Sequence, residues 1–204
     1  IRERDAETCY VLLGDLIQEL SRYASLFVID GRTHVSFCNS SNNRTAVNNA
    51  NFEWYQNAIQ ARGFTVSEYR IGPVTNQSVI TMAQPVYDPA GMLDFVFGAS
   101  LSLQWLNDFL MTTELPESAV VTLMDRQGVV LARYPTDPGW IGEIYRNAPI
   151  RETALSLPSG TIRGQSVSGS PYIFGFSSLN VSQGQMHIVV GMSEAEVLAA
   201  SEAQ

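Results

Sequence analysis

The sequence repeats its own pattern of turns and strands about 95 residues further along the chain. Asp30-Gly31 lies between two runs rich in β-branched and apolar residues, and so does the stretch 125–128. Two glycines separated by six residues then recur over 91–98 and again over 184–191. Self-similarity at a fixed spacing indicates repeated supersecondary units. The sequence therefore predicts two α+β modules in tandem, and not a single enzyme core.

The composition agrees with two small globular domains. A chain of 204 residues accommodates two domains of roughly 100 residues each. Its 45% apolar and 16% charged residues are ordinary for a folded protein. The net charge of −8 argues against a nucleic-acid surface, which needs clustered cations. All 12 basic residues are arginine, which excludes mechanisms that need a Schiff-base or phosphate-loop lysine.

Both ends of the chain are predicted to be helical, near residue 5 and over 193–201. No run of 18 apolar, uncharged residues occurs, so no membrane-spanning helix is predicted within these residues. A domain that lies between two membrane-spanning helices of a longer protein would have such ends, as would many other trimmed domains.

Cys9 and Cys38 are the two cysteines. Two unrelated free thiols would be expected in the cytosol, whereas in the periplasm the pair would form a disulfide. We favour the disulfide, because Cys9 lies in the first predicted helix and Cys38 at the end of the first predicted hairpin. Closing this loop of about 30 residues would contribute about 3 kcal/mol. Only His34 and His187 accompany the cysteines, so the spacing predicts no metal site.

Apolar periodicity predicts the elements of the first module. Residues 5–24 place apolar side chains at three- and four-residue spacing, which is typical of an amphipathic helix. A hairpin follows across Asp30-Gly31, then an Asn-rich loop over 39–51 and a short helix over 52–62. Three strands and a closing helix are predicted at 64–71, 78–87, 93–102 and 103–112.

The second module is predicted to follow a similar order. Strands at 119–125 and 129–134 flank the second aspartate turn, a short helix covers 149–156, and the last helix begins at Ser193. The remaining strands are predicted at 160–167, 171–178 and 185–192. Each module is thus a mostly antiparallel sheet of about five strands with helices on one side, which is the α+β class.

Four stretches give the chain a resemblance to a known family: residues 52–58, 80–91, 97–103 and 121–135. In order and spacing they resemble the double Cache domain, a pair of tandem PAS-like modules on the outer face of bacterial transmembrane receptors. The resemblance covers essentially the whole chain. It implies a long N-terminal helix followed by two antiparallel-sheet modules.

The resemblance also implies a division of the chain into four parts. Residues 1–25 would form an N-terminal signalling and dimerisation helix, and 26–115 the membrane-distal module. Residues 116–192 would form the membrane-proximal module, and 193–204 a C-terminal helix that leads to the membrane.

In this family the membrane-distal module usually holds a small-molecule pocket that faces the first helix, and Trp54-Tyr55 marks its start. Aromatic walls exclude water while an indole N–H or phenol O–H orients the ligand. The alternative is that both residues only pack their helix on the sheet. The residues expected to bind the ligand are Trp54, Tyr55, Tyr69, Arg70, Thr81 and Ser100.

Two departures from the family pattern disfavour an ordinary α-amino acid as ligand. Members that bind free amino acids have an Arg two residues before the Trp and an Asp on the late strand, whereas this chain has Phe52 and Ser100. Phenylalanine cannot form a bidentate clamp on a carboxylate. Arg70 could meet an anion from another angle, or it could be a solvated strand residue. No cofactor is predicted.

Catalysis by the domain itself is not predicted. His34 and His187 lie in different repeats, and no Gly-x-Ser-x-Gly, His-Glu-x-x-His or phosphate-loop motif occurs. Asp30 and Asp125 lie at hairpin turns, where aspartate is favoured for backbone reasons.

The sequence therefore predicts the periplasmic ligand-sensing domain of a bacterial inner-membrane signalling protein, a histidine kinase or a diguanylate cyclase. The alternatives are a chemoreceptor domain and a non-sensing structural or adhesive module. The resemblance further implies an unidentified small-molecule ligand, a homodimer through the N-terminal helix, flanking transmembrane helices in the parent, and a signal relayed through the terminal helices.

Overall fold

The computed structural model describes residues 5–41, 44–181 and 184–202. The elements of the first module are α1 (Ala6–Glu19), β1 (Tyr23–Asp30), β2 (Ser36–Asn39), α2 (Glu53–Ala61), β3 (Thr65–Val66), β4 (Arg70–Ile71), β5 (Ser78–Tyr87), β6 (Leu93–Ser102) and α3 (Leu103–Met111). Those of the second are β7 (Val120–Asp125), β8 (Val130–Tyr134), a 3-10 turn (Pro138–Trp140), α4 (Ala148–Ser156), β9 (Ser159–Gln165), β10 (Pro171–Val181), β11 (Gly184–Ser193) and α5 (Glu194–Glu202).

The two sheets share one strand order, which confirms the predicted α+β fold. The first sheet runs β2-β1-β6-β5-β3, with β4 also paired to β5, and the second runs β8-β7-β11-β10-β9. In each, an N-terminal hairpin pairs with the last strand of its module, and the pairings β1–β6 and β7–β11 are antiparallel. The chain divides into two compact units near Trp105. No helix among the described residues is long and apolar enough to cross a bilayer.

The repeated aspartates hold the repeated hairpin turns. The Asp30 carboxylate accepts hydrogen bonds from the backbone N–H groups of Arg32 and Thr33, both at 2.9 Å. The Asp125 carboxylate accepts from the N–H of Gln127 at 2.9 Å and from Val129 at 3.0 Å. Both aspartates thus satisfy backbone donors that the turns would otherwise leave unpaired.

The second glycine of each repeated frame lies beneath an aromatic ring. Phe27 is directly opposite Gly98 in the β1–β6 register, and a Cβ at position 98 would overlap the Phe27 ring. In the second sheet a Cβ at Gly191 would overlap the Phe174 ring. In both sheets an aromatic ring occupies the space that a Cβ would need, although the ring comes from β1 in the first sheet and from β10 in the second.

Helix α1 and the strand predicted over 64–71 depart furthest from the prediction. Helix α1 ends at Glu19 and not at residue 24, because Tyr23 already belongs to β1. The predicted strand 64–71 is interrupted into β3 and β4. The interruption arises because the Thr81 N–H donates to the Ser67 hydroxyl at 2.8 Å, so a side chain replaces a backbone carbonyl in the ladder.

The two faces of the first sheet have different neighbours, because successive strand residues point to opposite sides. One face packs against α1 in a cluster of Cys9, Leu13, Leu26, Val28 and Cys38. The other face packs against α2 in a cluster of Ile29, Trp54, Tyr55, Ala58, Ala83 and Val96. The prediction of helices on one side of the sheet is therefore wrong for the first module, because both faces of its strands carry apolar residues that a helix covers. In the first cluster Cys9 and Cys38 form a disulfide, with their Cα atoms 6.0 Å apart.

Candidate functional site

A small cavity of about 30 Å³ opens on the α2 face of the first sheet, and we call it the Arg70 cavity. Its polar lining consists of Ser25, Ser36, Asn39, Asn49, Arg70, Thr75, Thr81 and Ser100. Its other lining residues are Phe27, Val47, Trp54, Gly72, Pro73 and Val74. Apolar walls with several convergent polar groups are typical of a small-molecule site, and the small volume limits this one to a compact ligand.

Three hydroxyl side chains form a row across the floor of the cavity. Ser25 on β1 is the register partner of Ser100 on β6, and Ser100 is the partner of Thr81 on β5. All three are buried, and the hydroxyl oxygens of Thr81 and Ser100 lie 3.4 Å apart. Because directly opposite residues point to the same face of a sheet, the antiparallel register alone brings these hydroxyls together.

The cavity does not face α1, which corrects the expectation drawn from the family. Ser25 and Phe27 line the cavity, whereas Leu26 and Val28, the residues that alternate with them, pack under α1. The period of two along β1 therefore puts the cavity and α1 on opposite sides of the sheet.

The Asn-rich loop supplies one wall and is fixed in place by its own amides. Asn49 is buried and donates from its side-chain nitrogen to the Ser36 hydroxyl at 3.1 Å and to the Val47 carbonyl at 2.8 Å. An isolated bridge between Val35 and Asn48 attaches the loop to the hairpin. The wall is thus an ordered extension of the sheet.

The aromatic wall centres on Trp54, which is 8% exposed. Its indole is edge-on to the Phe27 ring at a centroid distance of 6.0 Å and stacks with the Phe52 ring at 6.3 Å. The buried indole Nε1 has no hydrogen-bond partner among the described residues. Buried donors are nearly always paired in folded proteins, so an unpaired donor in the wall of a cavity requires an explanation.

Arg70 on β4 is the only cation among the described residues that line the cavity. Its guanidinium carbon lies 4.6 Å from the Phe52 ring centroid and 5.2 Å from that of Trp54. No described residue forms a hydrogen bond or ion pair with it. Burial lowers the pKa of Arg70 from its usual value, but a guanidinium remains charged in proteins. The cavity therefore carries a partly desolvated positive charge, whose observed contacts among the described residues are aromatic rings.

The turn between β4 and β5 contributes a second unpaired group. The Thr75 hydroxyl is buried and has no hydrogen-bond partner among the described residues. A Cβ at Gly72 would lie 2.8 Å from that hydroxyl oxygen, so glycine leaves the space that the Thr75 side chain occupies. Among the described lining residues none is acidic.

The structure places four of the residues expected from the sequence in the cavity: Trp54, Arg70, Thr81 and Ser100. Tyr69 lies outside the described lining, and its hydroxyl is 3.1 Å from that of Ser78. Tyr55 also lies outside it, because neighbouring residues on a helix point about 100° apart.

Tyr55 is instead buried against the hairpin. Its hydroxyl is 3.0 Å from Nδ1 of His34, and burial, with smaller contributions from Asp30 and Tyr87, raises the pKa of Tyr55 to about 12. Together with His34 and Gln56 it lines a separate surface groove.

Several lining residues were not predicted from the sequence. Asn49 and Val47 belong to the Asn-rich loop predicted over 39–51. The composition of this loop singles it out, but it does not indicate which of its residues line the cavity. Phe27 could be inferred only from its register with Gly98. Nothing in the local sequence distinguishes Thr75.

The second module buries its own arginine in a different setting. Arg133 on β8 is 8% exposed, and its Nη1 donates to the Thr122 hydroxyl at 2.8 Å. Its guanidinium carbon lies 4.3 Å from the Trp140 ring centroid. Around it, a cluster that includes Trp140, Tyr145 and Phe174 forms the core of the module.

Several solved structures share this fold with the chain. The extracellular domain of rpHK1S-Z16, assigned as a histidine kinase, has a TM-score of 0.73 at 16% identity, over 94% of this chain and 79% of that one. Methyl-accepting chemotaxis protein X has a TM-score of 0.72 at 17% identity, over 92% and 81%. The ligand-binding domain of the Pseudomonas aeruginosa PAO1 amino-acid chemoreceptor PctB, in complex with L-Arg, has 0.69 at 19%, over 97% and 82%. At these identities the likeness establishes the fold.

The sequence comparison agrees with the structural one. No protein with a curated description matches the chain in sequence. The sequence model of the Cache domain, dCache_1, matches residues 6–201, which is nearly the whole chain. The resemblance inferred from residues 52–58, 80–91, 97–103 and 121–135 is confirmed. The chain belongs to the Cache domain family.

Proposed function

We propose that this chain is the periplasmic ligand-sensing domain of a bacterial membrane receptor and that the Arg70 cavity is its ligand site. The carrying observation is Arg70, a cation that lines the cavity and has no hydrogen-bond or ion-pair partner among the described residues. Trp54 and Thr75 also line the cavity, and each has a buried polar atom without a partner. Leaving polar groups unpaired costs stability, and a ligand that supplies an acceptor to Arg70 recovers part of that cost.

The parent protein is a histidine kinase, a diguanylate cyclase or a chemoreceptor. Neighbours in structure include both histidine kinases and chemoreceptors, which supports either kind of output. The cavity argues against a non-sensing adhesive module, which would present a flat surface. We propose no catalytic activity for the domain itself.

The relay proposed for the signal begins at the cavity walls and leads to α1. Asn39 and Asn49 line the cavity. Asn39 follows Cys38, which the disulfide joins to Cys9 on α1. Asn49 lies in the same loop as Arg44, which forms an ion pair with Glu7 on α1 at an N–O distance of 2.5 Å. A ligand shifts the position of α1 only if it binds two packings of these walls with unequal affinity. In this proposal residues 26–115 are membrane-distal and 116–192 membrane-proximal.

The N-terminal helix is also the proposed homodimer contact. Val11, Leu12 and Leu16 on α1 are 62%, 47% and 38% exposed, which leaves apolar side chains in solvent. Sedimentation velocity of the Leu12→Glu/Leu16→Glu variant tests the contact. A dimer that persists in this variant would exclude α1 as the interface.

A thermal-shift screen of small metabolites on the purified domain tests the ligand site. A ligand at 100 times its Kd stabilises the folded state by about 2.7 kcal/mol, which raises Tm by about 5–10 °C in a chain of this size. Trp54→Phe keeps an aromatic ring and removes the unpaired N–H together with part of the indole, so it should weaken any hit. Trp140→Phe is the matched control in the second module and should leave the hit unchanged.

Two results would contradict the proposal. A hit that Trp54→Phe and Trp54→Ala both leave unaltered would move the site away from the Arg70 cavity. A broad metabolite library without any stabilising compound would argue against ligand sensing by this domain.

A further inference from the structure

We propose that the ligand of the Arg70 cavity is a small monocarboxylate that carries a hydroxyl or oxo group in place of an ammonium group. This inference rests on the proposed function, since it names the chemical class that the same cavity selects. It follows from the charge of the cavity, the arrangement of its donors and the row of hydroxyls on its floor.

Among the described residues, the lining of the cavity carries one positive charge. Arg70 is its one cation, and no acidic residue lies among the described residues that line it. A desolvated charge without a partner is costly, and one negative charge on a ligand would neutralise it. A carboxylate carries one negative charge at neutral pH, whereas a phosphate monoester carries about 1.5 to 2 negative charges. The balance therefore favours a carboxylate.

The packing of Arg70 leaves its donors available. The guanidinium lies over the rings of Phe52 and Trp54, at 4.6 and 5.2 Å from their centroids. A guanidinium that packs on aromatic faces keeps its N–H groups in its own plane, where they match the two oxygens of a carboxylate. Phe52 and Trp54 thus hold the guanidinium while its donors stay available to a ligand.

The other unpaired groups also call for acceptors. The Trp54 Nε1–H can only donate, and the Thr75 hydroxyl can donate to a ligand oxygen. Both residues line the same cavity as Arg70, although these two atoms are covered by neighbouring groups. A ligand rich in oxygen acceptors pairs with Arg70 directly, and with the other two groups once the side chains around them shift.

The floor of the cavity suits a neutral polar substituent. Ser25, Ser100 and Thr81 present three neighbouring hydroxyls, which both donate and accept. They match a hydroxyl or oxo group, and they supply no negative charge. The ammonium group of an α-amino acid would be desolvated here without a carboxylate partner, at a substantial cost.

Isothermal titration calorimetry with three matched sets of compounds tests the inference. The acids are L-lactate, L-2-hydroxyisocaproate and L-3-phenyllactate, which cover three sizes. Each is compared with its carboxamide and with the amino acid of the same skeleton: alanine, leucine or phenylalanine. We expect at least one hydroxy acid to bind, and its amide and its amino acid to bind at least tenfold more weakly.

Arg70→Gln should weaken the best acid at least tenfold. Arg22→Gln removes one exposed positive charge from the same module and should leave the affinity unchanged, which separates a direct contact from a general charge effect. Circular dichroism and thermal unfolding of both variants verify that each is folded.

Four results would overturn the inference: an amino acid that binds as tightly as its hydroxy acid, an amide that equals its acid, inorganic phosphate that binds more tightly than every acid, or no binding by any acid. A failure of the carboxylate class can be distinguished from a failure of the proposed function. A neutral or cationic hit from the metabolite screen that depends on Trp54 would uphold the ligand site while rejecting the carboxylate class.

Discussion

The two modules share a scaffold and differ in what they do with a buried arginine. Each has the same strand order and an aspartate that holds its first turn. In the second module Arg133 is paired with Thr122 and enclosed by an aromatic core. In the first, Arg70 has no such partner among the described residues and borders a cavity. The duplicated features are backbone requirements, and the differences lie in the side chains that fill the space beside the sheet.

This comparison distinguishes the features that stabilise the fold from those that form a candidate ligand site. A close-packed core gains stability from every filled space. A cavity with unpaired donors gives up part of that stability in the absence of ligand. The first module also has the disulfide, which offsets such a loss by restricting the unfolded chain.

The largest expected difference between the modules follows from removing the disulfide. Cys9→Ser/Cys38→Ser should lower the stability of the first module by about 3 kcal/mol, because the unfolded chain regains the entropy of the closed loop. Hydrogen–deuterium exchange should show faster exchange in β1 and β6, with β7 and β11 unchanged. Equal acceleration in both sheets would contradict a local role.

The oxidation state itself requires a separate control. Thiol titration of the denatured, unreduced protein should find no free thiol. Two free thiols would remove both the disulfide and its support for a periplasmic location.

Equal effects in the two modules are expected from the glycines beneath the rings. Gly98→Ala and Gly191→Ala should each destabilise their own module by about 2 kcal/mol, because the added methyl overlaps the ring of Phe27 or Phe174. Gly175→Ala is the control, since nothing lies within 4 Å of its Cβ position. Urea unfolding of the three variants measures the effect. A Gly98→Ala variant as stable as the control would refute the proposed equivalence of the frames.

Removing the charge of Arg133 and removing that of Arg70 should change the stability of the ligand-free protein in different directions. Arg133→Met leaves the Thr122 hydroxyl without its donor and should cost about 1 kcal/mol. Arg70→Met removes an unpaired, partly buried charge and should leave the ligand-free protein as stable or slightly more stable. Thermal unfolding without ligand measures both. A large loss of stability in Arg70→Met would show that Arg70 supports the fold and would weaken its role in binding.

The smallest expected effect is a pH dependence confined to the second module. Burial is the main cause that lowers the pKa of His187, whose Nδ1 lies 3.2 Å from the Ser178 hydroxyl. As the pH falls below about 6.5, the unfolded chain binds the proton more readily than the folded one. Stability is therefore full above this pH and declines below it. Urea unfolding between pH 5 and 8 should show a shallower decline in His187→Gln, and an identical decline would exclude His187 as the cause.

Much of the scaffold could be predicted because its causes are local in sequence. An aspartate at a turn and a glycine at a fixed offset are visible without any knowledge of tertiary contacts. The break between β3 and β4 was not visible, because it depends on the Ser67 hydroxyl reaching the distant Thr81 N–H. The end of α1 depends in the same way on the pairing of β1.

The site could be predicted only in part for the same reason. Arg70, Thr81 and Ser100 were found through the family likeness and their polarity, but the face of the sheet they occupy depends on register. A shift of one residue would exchange the two faces. Whether Trp54 or Tyr55 lines the cavity depends on the rotation of α2, which the sequence of a short helix does not determine.

The disulfide has a mechanical consequence for the first module. Cys38 is joined by one peptide bond to Asn39, which lines the cavity, and by its sulfur to Cys9 on α1. An unbroken chain of covalent bonds thus crosses the sheet from the cavity wall to the helix on its other side. Non-covalent packing can slip when a ligand pushes on it, whereas this linkage transmits displacement in either direction. In the proposed relay, this bond couples strand β2 to helix α1 in the oxidised protein.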